Sequence, residues 1–159
     1  MPRQGWLLVG LGASVLLLLY QNKQGIMNMG IPRGIRNNNA GNIRHGSSKW
    51  KGMAQNQTDS AFVQFVSPEY GIRALSHVLD SYARRGANTV RKIIDIYAPP
   101  VENDTSAYVD SVALALGVGA DQIINVQTHK ADLVEAIIQH ENGQQPYAVS
   151  QIASGVLMA

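Results

Sequence analysis

The sequence has no cysteine and few charged residues, and each shortage excludes a class of protein. Without cysteine, the chain cannot form a disulfide framework, a zinc ribbon or a thiol nucleophile. Charged residues make up 15% of the chain, below the roughly 25% that is usual for soluble domains. The hydrophobic share of 45% is nevertheless that of a folded protein, and 159 residues suffice for one domain of ordinary size. A disordered acidic or basic tail protein is therefore excluded.

Acidic residues are missing from the first 58 positions. This segment contains seven lysines and arginines, whereas residues 59–159 contain the other six bases and all eleven acids. The basic N-terminal third must therefore have a task that differs from the task of the rest. Three tasks are open: orienting a membrane segment, contacting nucleic acid, or binding an acidic or polar polymer.

A long apolar run without charge covers residues 5–20. At 1.5 Å per residue it spans about 24 Å, slightly less than the ~30 Å hydrocarbon core of a bilayer. Trp6 and Tyr20 stand at its ends, where amphipathic rings favour the membrane interface. The run predicts an uncleaved membrane anchor over residues 1–22, followed by a flexible tether over residues 23–33. A cleaved signal peptide and a buried core helix remain alternatives.

Periodic apolar residues predict a mostly α domain, α+β at most, over residues 34–159. The Ser-Pro-Glu sequence at residues 67–69 is typical of a helix start. Gly143 is typical of a helix end, because glycine readily adopts the left-handed conformation. By such signals, helices are predicted over residues 67–86, 89–98, 104–117, 121–126, 128–142 and 148–158. A strand is predicted only for residues 61–66.

The segment GIRNNNAGNIRH, residues 34–45, is rich in asparagine and glycine. Asparagine tolerates a left-handed backbone and hydrogen-bonds its own main chain, so the segment is neither a helix nor a core strand. One interpretation is a plain surface turn. The density of amide and guanidinium donors, followed by an indole, instead favours a groove that binds sugars or nucleobases. The candidate groove residues are Asn38, Asn39, Asn42, Arg44 and Trp50.

Glu141 stands near the predicted C-terminal end of the helix over residues 128–142. The negative end of the helix dipole disfavours a further negative charge there, and a carboxyl group that keeps its proton suits a general acid. The alternative interpretation is a solvent-facing glutamate beside a helix end.

The segment YAPPVENDT, which starts at Tyr97, has two interpretations. In the first, the prolines stop one helix, and Asp104 or Thr105 caps the next helix. In the second, Glu102 or Asp104 supplies a further carboxylate, and Tyr97 or Tyr108 belongs to the groove.

Several motifs together resemble bacterial peptidoglycan N-acetylglucosaminidases and related lysozyme-like enzymes. They are NNNAGNIR at residues 37–44, WKG at residues 50–52 and FVQFVSPEYG at residues 62–71. In those enzymes the catalytic glutamate lies upstream of the asparagine motif, where this chain has no acid. Residues 137–150, IIQHENGQQPYAVS, resemble the lytic transglycosylase motif that contains the catalytic glutamate. The resemblance implies a lysozyme-like helical domain, circularly permuted, with Glu141 near its C-terminal end.

Residues 33–147 also resemble small virion structural proteins of bacteriophages, which share the RGIRNNN opening and the ENDT segment. Those proteins have proline where Ala40 stands here, and lytic transglycosylases have serine where Asn142 stands. The first departure removes a fixed φ angle from the loop, and the second puts the serine hydrogen bond in doubt.

These resemblances imply a membrane-anchored phage virion protein that cleaves β-1,4 glycosidic bonds of peptidoglycan during cell entry or lysis. Its activity would be that of a lytic transglycosylase, a muramidase or a glucosaminidase, with Glu141 protonating the leaving oxygen and then acting as base. The candidates for a second carboxylate are Glu102, Asp104, Asp59 and Glu69. The residues predicted to line the groove are Asn38, Asn39, Asn42, Arg44, Trp50, Tyr97 and Tyr147. The alternative is a non-enzymatic virion structural or membrane protein that keeps the fold for binding or scaffolding.

The sequence implies no cofactor and no metal, because its four histidines lack metal-ligand spacing and no phosphate loop is present. The implied partners are a peptidoglycan glycan strand, a lipid membrane through residues 5–20, and other virion proteins. A nucleic-acid binder is a third class, but seven bases, two of them beside the apolar run, are few for that role. The implied location is the virion, or the host inner membrane with the domain facing the periplasm.

Overall fold

A computed structural model describes residues 30–101 and 104–159. No helix within these ranges is both long and apolar enough to cross a membrane. The structure therefore does not bear out the transmembrane helix in the predicted fold class. The longest described helix, Pro68–Arg84, has 17 residues and is amphipathic, whereas a membrane span needs about 20 mostly apolar residues. Residues 5–20, on which the membrane anchor was predicted, lie outside the described ranges.

The described part of the chain is mostly helical, as predicted. Its helices are α1 (Arg33–Arg36), α2 (Pro68–Arg84), α3 (Val90–Tyr97), α4 (Thr105–Leu116), α5 (Lys130–Asn142) and α6 (Val149–Leu157). Residues Pro32–Ala159 form one compact unit. The predicted boundaries of anchor, tether and domain stay predictions.

The ends of α3, α4 and α5 follow from local sequence signals. The Thr89 side chain accepts a hydrogen bond from the Lys92 amide, 3.2 Å away, at the start of α3. The Asp104 side chain accepts one from the Ala107 amide, 3.1 Å away, at the start of α4. Gly143 ends α5 with φ of 65°, a left-handed conformation in which other residues are strained. These signals are local, and the predictions made from them are correct.

Two of the predictions for residues 119–130 are wrong. Residues 121–126 form turns and irregular backbone instead of a helix. The Ile124 amide donates to the carbonyl of Asn88, 2.9 Å away. This amide is therefore not available for a hydrogen bond within a helix. Helix α5 begins at Lys130 and not directly after Thr128, whose hydroxyl donates to the carbonyl of Asn125 in the preceding turn.

The predicted strand over residues 61–66 is reduced to two isolated bridges, Arg44 with Phe62 and Met53 with Phe65. Its backbone amides reach different segments: Val63 donates to the carbonyl of Ile43, and Phe65 donates to the carbonyl of Asn37. Because these partners belong to an irregular loop, no continuous strand ladder forms here.

Helices α2 to α6 enclose the main hydrophobic core, and each of them contributes buried apolar residues to it. Helix α6 packs closely on α2, because Gly155 leaves space for Ile72. A Cβ atom on Gly155 would lie 2.5 Å from Cγ2 of Ile72. A second, smaller cluster of Val63, Phe65 and Ala74 lies beneath the irregular N-terminal segment.

Candidate functional site

The asparagine-rich segment is a compact loop whose side-chain amides bind backbone groups of the loop itself and of residues 63–65. Asn39 is 0% exposed, and its Nδ2 donates to the carbonyls of Ile43 and Val63 at 2.9 and 2.7 Å. Its Oδ1 accepts from the Ile43 amide at 2.8 Å. Asn38, with a left-handed φ of 51°, donates to the carbonyl of Phe65 at 3.0 Å. Both side chains were predicted to line the groove, but their amides are engaged in holding the loop.

Asp59 joins this loop to α1. The Arg33 guanidinium approaches its two carboxylate oxygens at 2.6 Å each, and Asn37 donates to it at 2.8 Å. The backbone amides of Ala61 and Phe62 also donate to Asp59. Arg33 holds the pKa of Asp59 well below its usual range. Asp59, a candidate second carboxylate, is thus engaged as a structural anion.

Glu141 lies in the last turn of α5, and the asparagine loop contacts its carboxylate. Nδ2 of Asn42 donates to Oε2 at 2.8 Å, and the hydroxyl of Tyr108 donates to Oε1 at 3.0 Å. The next residue, Asn142, donates to the carbonyls of Ala40 and Ile138 at 2.9 and 2.8 Å. Asn142, which stands where lytic transglycosylases have serine, thus fastens the end of α5 to the loop.

A cleft of about 490 Å³ opens at Glu141. Its lining includes four residues that the sequence predicted for the site from three separate segments: Asn42, Arg44, Tyr97 and Glu141. Apolar and aromatic side chains supply much of the rest of its wall, among them Ile43, Phe62, Val78 and Tyr82. Among the described residues that line the cleft, Glu141 is the only carboxylate. The combination of aromatic rings with a few polar groups is typical of a small-ligand site.

Arg44 stands at this cleft beside an aromatic ring. Its guanidinium carbon lies 5.1 Å from the centroid of Phe62, and the guanidinium carbon of Arg33 lies 4.5 Å from the same centroid. Attraction between a cation and the face of an aromatic ring holds both arginines near Phe62. The cleft therefore has a cationic group at one side and the Glu141 carboxylate at another.

Two tyrosines stand behind Glu141. Tyr108 is 2% exposed and stacks on His140, with ring centroids 3.6 Å apart and an angle of 11° between the planes. Tyr97 meets Tyr108 edge to face, and its hydroxyl donates to the carbonyl of Gly41. Burial raises the pKa of both tyrosines, so each remains a protonated donor. The sequence suggested Tyr108 only as an alternative groove residue, because its partner is 33 positions away.

The other aromatic candidates lie outside the lining of the cleft. Trp50 packs against the small cluster of Val63, Phe65 and Ala74. Tyr147 is 8% exposed and belongs to the main core. Both predictions were based on residue type, and the apolar packing of these rings explains their positions equally well.

Two of the remaining carboxylate candidates, Glu69 and Asp104, are not in the cleft lining either. Glu69 accepts a hydrogen bond from Gln151 at 2.7 Å and thereby helps to fasten α6 to α2. Hydrogen bonds from Ser67 and Gln151 lower the pKa of Glu69. Asp104 is exposed and caps α4. Glu102 lies outside the described residues.

Within the part of the chain that the structure describes, no three His, Asp or Glu residues come together in a group that could hold a metal ion.

Comparison with known proteins identifies a bacteriophage relative. No protein-family model matches the chain. The chain is 39% identical over 127 residues to protein P5 of Pseudoalteromonas phage PM2, and the alignment covers 77% of this chain and 79% of the phage protein. This relative supports the predicted bacteriophage virion protein. It carries no information on glycosidic bond cleavage.

Proposed function

The chain belongs to the family of protein P5 of Pseudoalteromonas phage PM2, and from this premise we propose that it is a virion protein that binds peptidoglycan glycan in its cleft. Membership of this family supports the assignment as a virion protein. The single observation that supports glycan as the ligand is the cleft at Glu141, which combines aromatic walls with amide, guanidinium and carboxylate groups.

The chemistry of the cleft matches that of a sugar polymer. Sugar rings have apolar faces, which favour contact with aromatic side chains such as Phe62 and Tyr82, and hydroxyls, which need hydrogen-bond partners. Asn42 and Arg44 supply polar groups in the same wall. The volume of about 490 Å³ falls within the range of about 300–1,000 Å³ that is typical of ligand sites.

Cleavage of the bound glycan is the second candidate function, and the position of Glu141 favours it. In this reaction Glu141 donates its proton to the glycosidic oxygen as the bond between that oxygen and the anomeric carbon breaks. The carboxylate then accepts the proton of the sugar's own 6-hydroxyl, whose oxygen bonds to the anomeric carbon. This mechanism needs one carboxylate, in agreement with the described lining of the cleft. A hydrolase would use water in place of the 6-hydroxyl.

Purified cell-wall sacculi distinguish binding from cleavage. The full-length protein is compared with Glu141→Gln by co-sedimentation with sacculi and by loss of turbidity. Glu135→Gln, on the same helix but outside the cleft, is the matched control. Binding by all three proteins, with clearing by all except Glu141→Gln, supports cleavage. Binding without clearing supports a binding protein only, and absence of binding by the unchanged protein refutes the proposal.

A further inference from the structure

Glu141 belongs to a ring of contacts that joins five residues. One carboxylate oxygen accepts from Asn42 and the other accepts from Tyr108, at 2.8 and 3.0 Å. The ring of Tyr108 meets the ring of Tyr97 edge to face, with centroids 6.5 Å apart and an angle of 86°. Tyr97 donates to the carbonyl of Gly41, which directly precedes Asn42. These five residues are called the Glu141 clamp below.

The clamp leaves its members little room to move. Tyr108 is buried and is covered on one face by His140. Gly41 is buried as well, and a Cβ atom at this position would lie 2.6 Å from the hydroxyl oxygen of Tyr97. The absence of a side chain on Gly41 therefore permits Tyr97 to reach the loop. A side chain at this position would push the two segments apart.

The hydrogen bonds of the clamp come from neutral groups. The pKa of Tyr108 is raised by burial first and also by the nearby Tyr97 and Glu141. The pKa of Tyr97 is raised by burial and by Glu141. Neither phenol ionises near neutral pH, so both remain donors. The Tyr108 hydroxyl and the Asn42 amide, which donate directly to the carboxylate, are thus both neutral donors.

We propose that Tyr97 and Tyr108 are positioning residues, which orient the Glu141 carboxyl group towards the ligand in the cleft. This inference rests on the proposed cleavage of a glycan by Glu141. It changes the role of Tyr97, which the sequence predicted as a groove contact. Tyr97 acts on Glu141 from two sides: its hydroxyl acts through Gly41 and Asn42, and its ring acts through Tyr108.

Positioning affects turnover more than binding. A carboxyl group displaced by a fraction of an ångström still permits the glycan to bind, but proton transfer to the glycosidic oxygen becomes slower. We expect Tyr97→Phe to lower the maximal clearing rate about 10-fold, with a change of less than about 2-fold in the half-saturating concentration of sacculi. Tyr108→Phe, which removes a direct hydrogen bond, should lower the rate further.

Clearing kinetics of the full-length protein test this inference. The control is Tyr70→Phe, because Tyr70 packs against the small cluster near Val63 and is outside the cleft lining. A fall in the maximal rate for both clamp variants, with the control unchanged, supports positioning. A rise in the half-saturating concentration alone would identify Tyr97 as a ligand contact. Normal kinetics for both variants would overturn the inference.

Thermal unfolding tests the clamp independently of cleavage. We expect Tyr97→Phe to lower the unfolding midpoint by about 3 °C in the unchanged protein and by less than half as much in Glu141→Gln. Tyr70→Phe should lower it equally in both backgrounds, because independent sites are additive. Equal losses for Tyr97→Phe in both backgrounds refute the clamp even if the protein clears sacculi. The loss for Tyr97→Phe can be smaller in Glu141→Gln while the unchanged protein fails to clear sacculi. That result supports the clamp and refutes only the cleavage function.

Discussion

The irregular N-terminal region, residues 33–66, and the helical region, residues 68–159, are stabilised by different interactions. In the first region, the side chains of Asn39 and Asp59 bind a backbone that forms almost no regular structure. In the second region, apolar side chains on five helices fill a continuous core. The candidate site lies where the two regions meet, with Asn42 from the first and Glu141 from the second. The difference shows that exact hydrogen-bond partners matter in one region and side-chain volume in the other.

The largest loss of stability is expected from Asn39→Ala in the irregular region. This change leaves the amide of Ile43 and the carbonyl of Val63 without their side-chain partner in a buried site, whereas the carbonyl of Ile43 keeps the amide of Val63. We expect the free energy of unfolding to fall by about 3–5 kcal/mol in urea titrations, because each buried unsatisfied group costs about 1–3 kcal/mol. The exposed Asn56→Ala should change it by less than about 0.5 kcal/mol. A loss below about 1 kcal/mol for Asn39→Ala would show that these buried hydrogen bonds do not stabilise the irregular region.

The next largest effect is expected from Asp59→Asn, and it depends on pH. The folded-state pKa of Asp59 lies well below that of the unfolded chain because of Arg33. The ionised form therefore stabilises the fold above about pH 4, and this contribution is lost as the pH falls further. Urea unfolding from pH 7 to pH 2 should show a large difference between the two proteins at neutral pH that shrinks in acid. A difference that is the same at every pH would exclude this role of Asp59.

The smallest effect is expected from Leu133→Met in the helical region. Leu133 is 0% exposed in α5, but methionine has a similar volume and adapts its shape. The free energy of unfolding should fall by less than about 1.5 kcal/mol. If this conservative apolar change cost as much as Asn39→Ala, the distinction between the two regions would fail.

The same distinction explains what the sequence could predict. Helices α2 to α6 follow from apolar periodicity and from caps such as Thr89, which are signals within a few residues. The position of Glu141 near a helix end, and the presence of Asn42 and Arg44 in one site with it, were also predicted. The roles of Asn38 and Asn39 were not, because their partners Phe65 and Val63 are 27 and 24 positions away.

The positions of aromatic residues were also difficult to predict from the sequence. Trp50 and Tyr147 were predicted as groove residues, yet the structure packs both against apolar clusters. Residue type alone does not distinguish a ring that faces a ligand from a ring that fills a core. The contact of Tyr108 with Glu141 joins two helices, and only the packing of α4 against α5 creates it.

Binding of glycan by the cleft at Glu141 is tested by NMR titration with a soluble peptidoglycan fragment. Backbone amide signals of the isotope-labelled full-length protein are followed as the fragment is added. We expect shifts concentrated at Asn42, Arg44, Tyr97 and Glu141, with the signals around Trp50 and Tyr147 nearly unchanged. No shifts at saturating fragment, or shifts centred on Trp50 and away from the cleft, would contradict it.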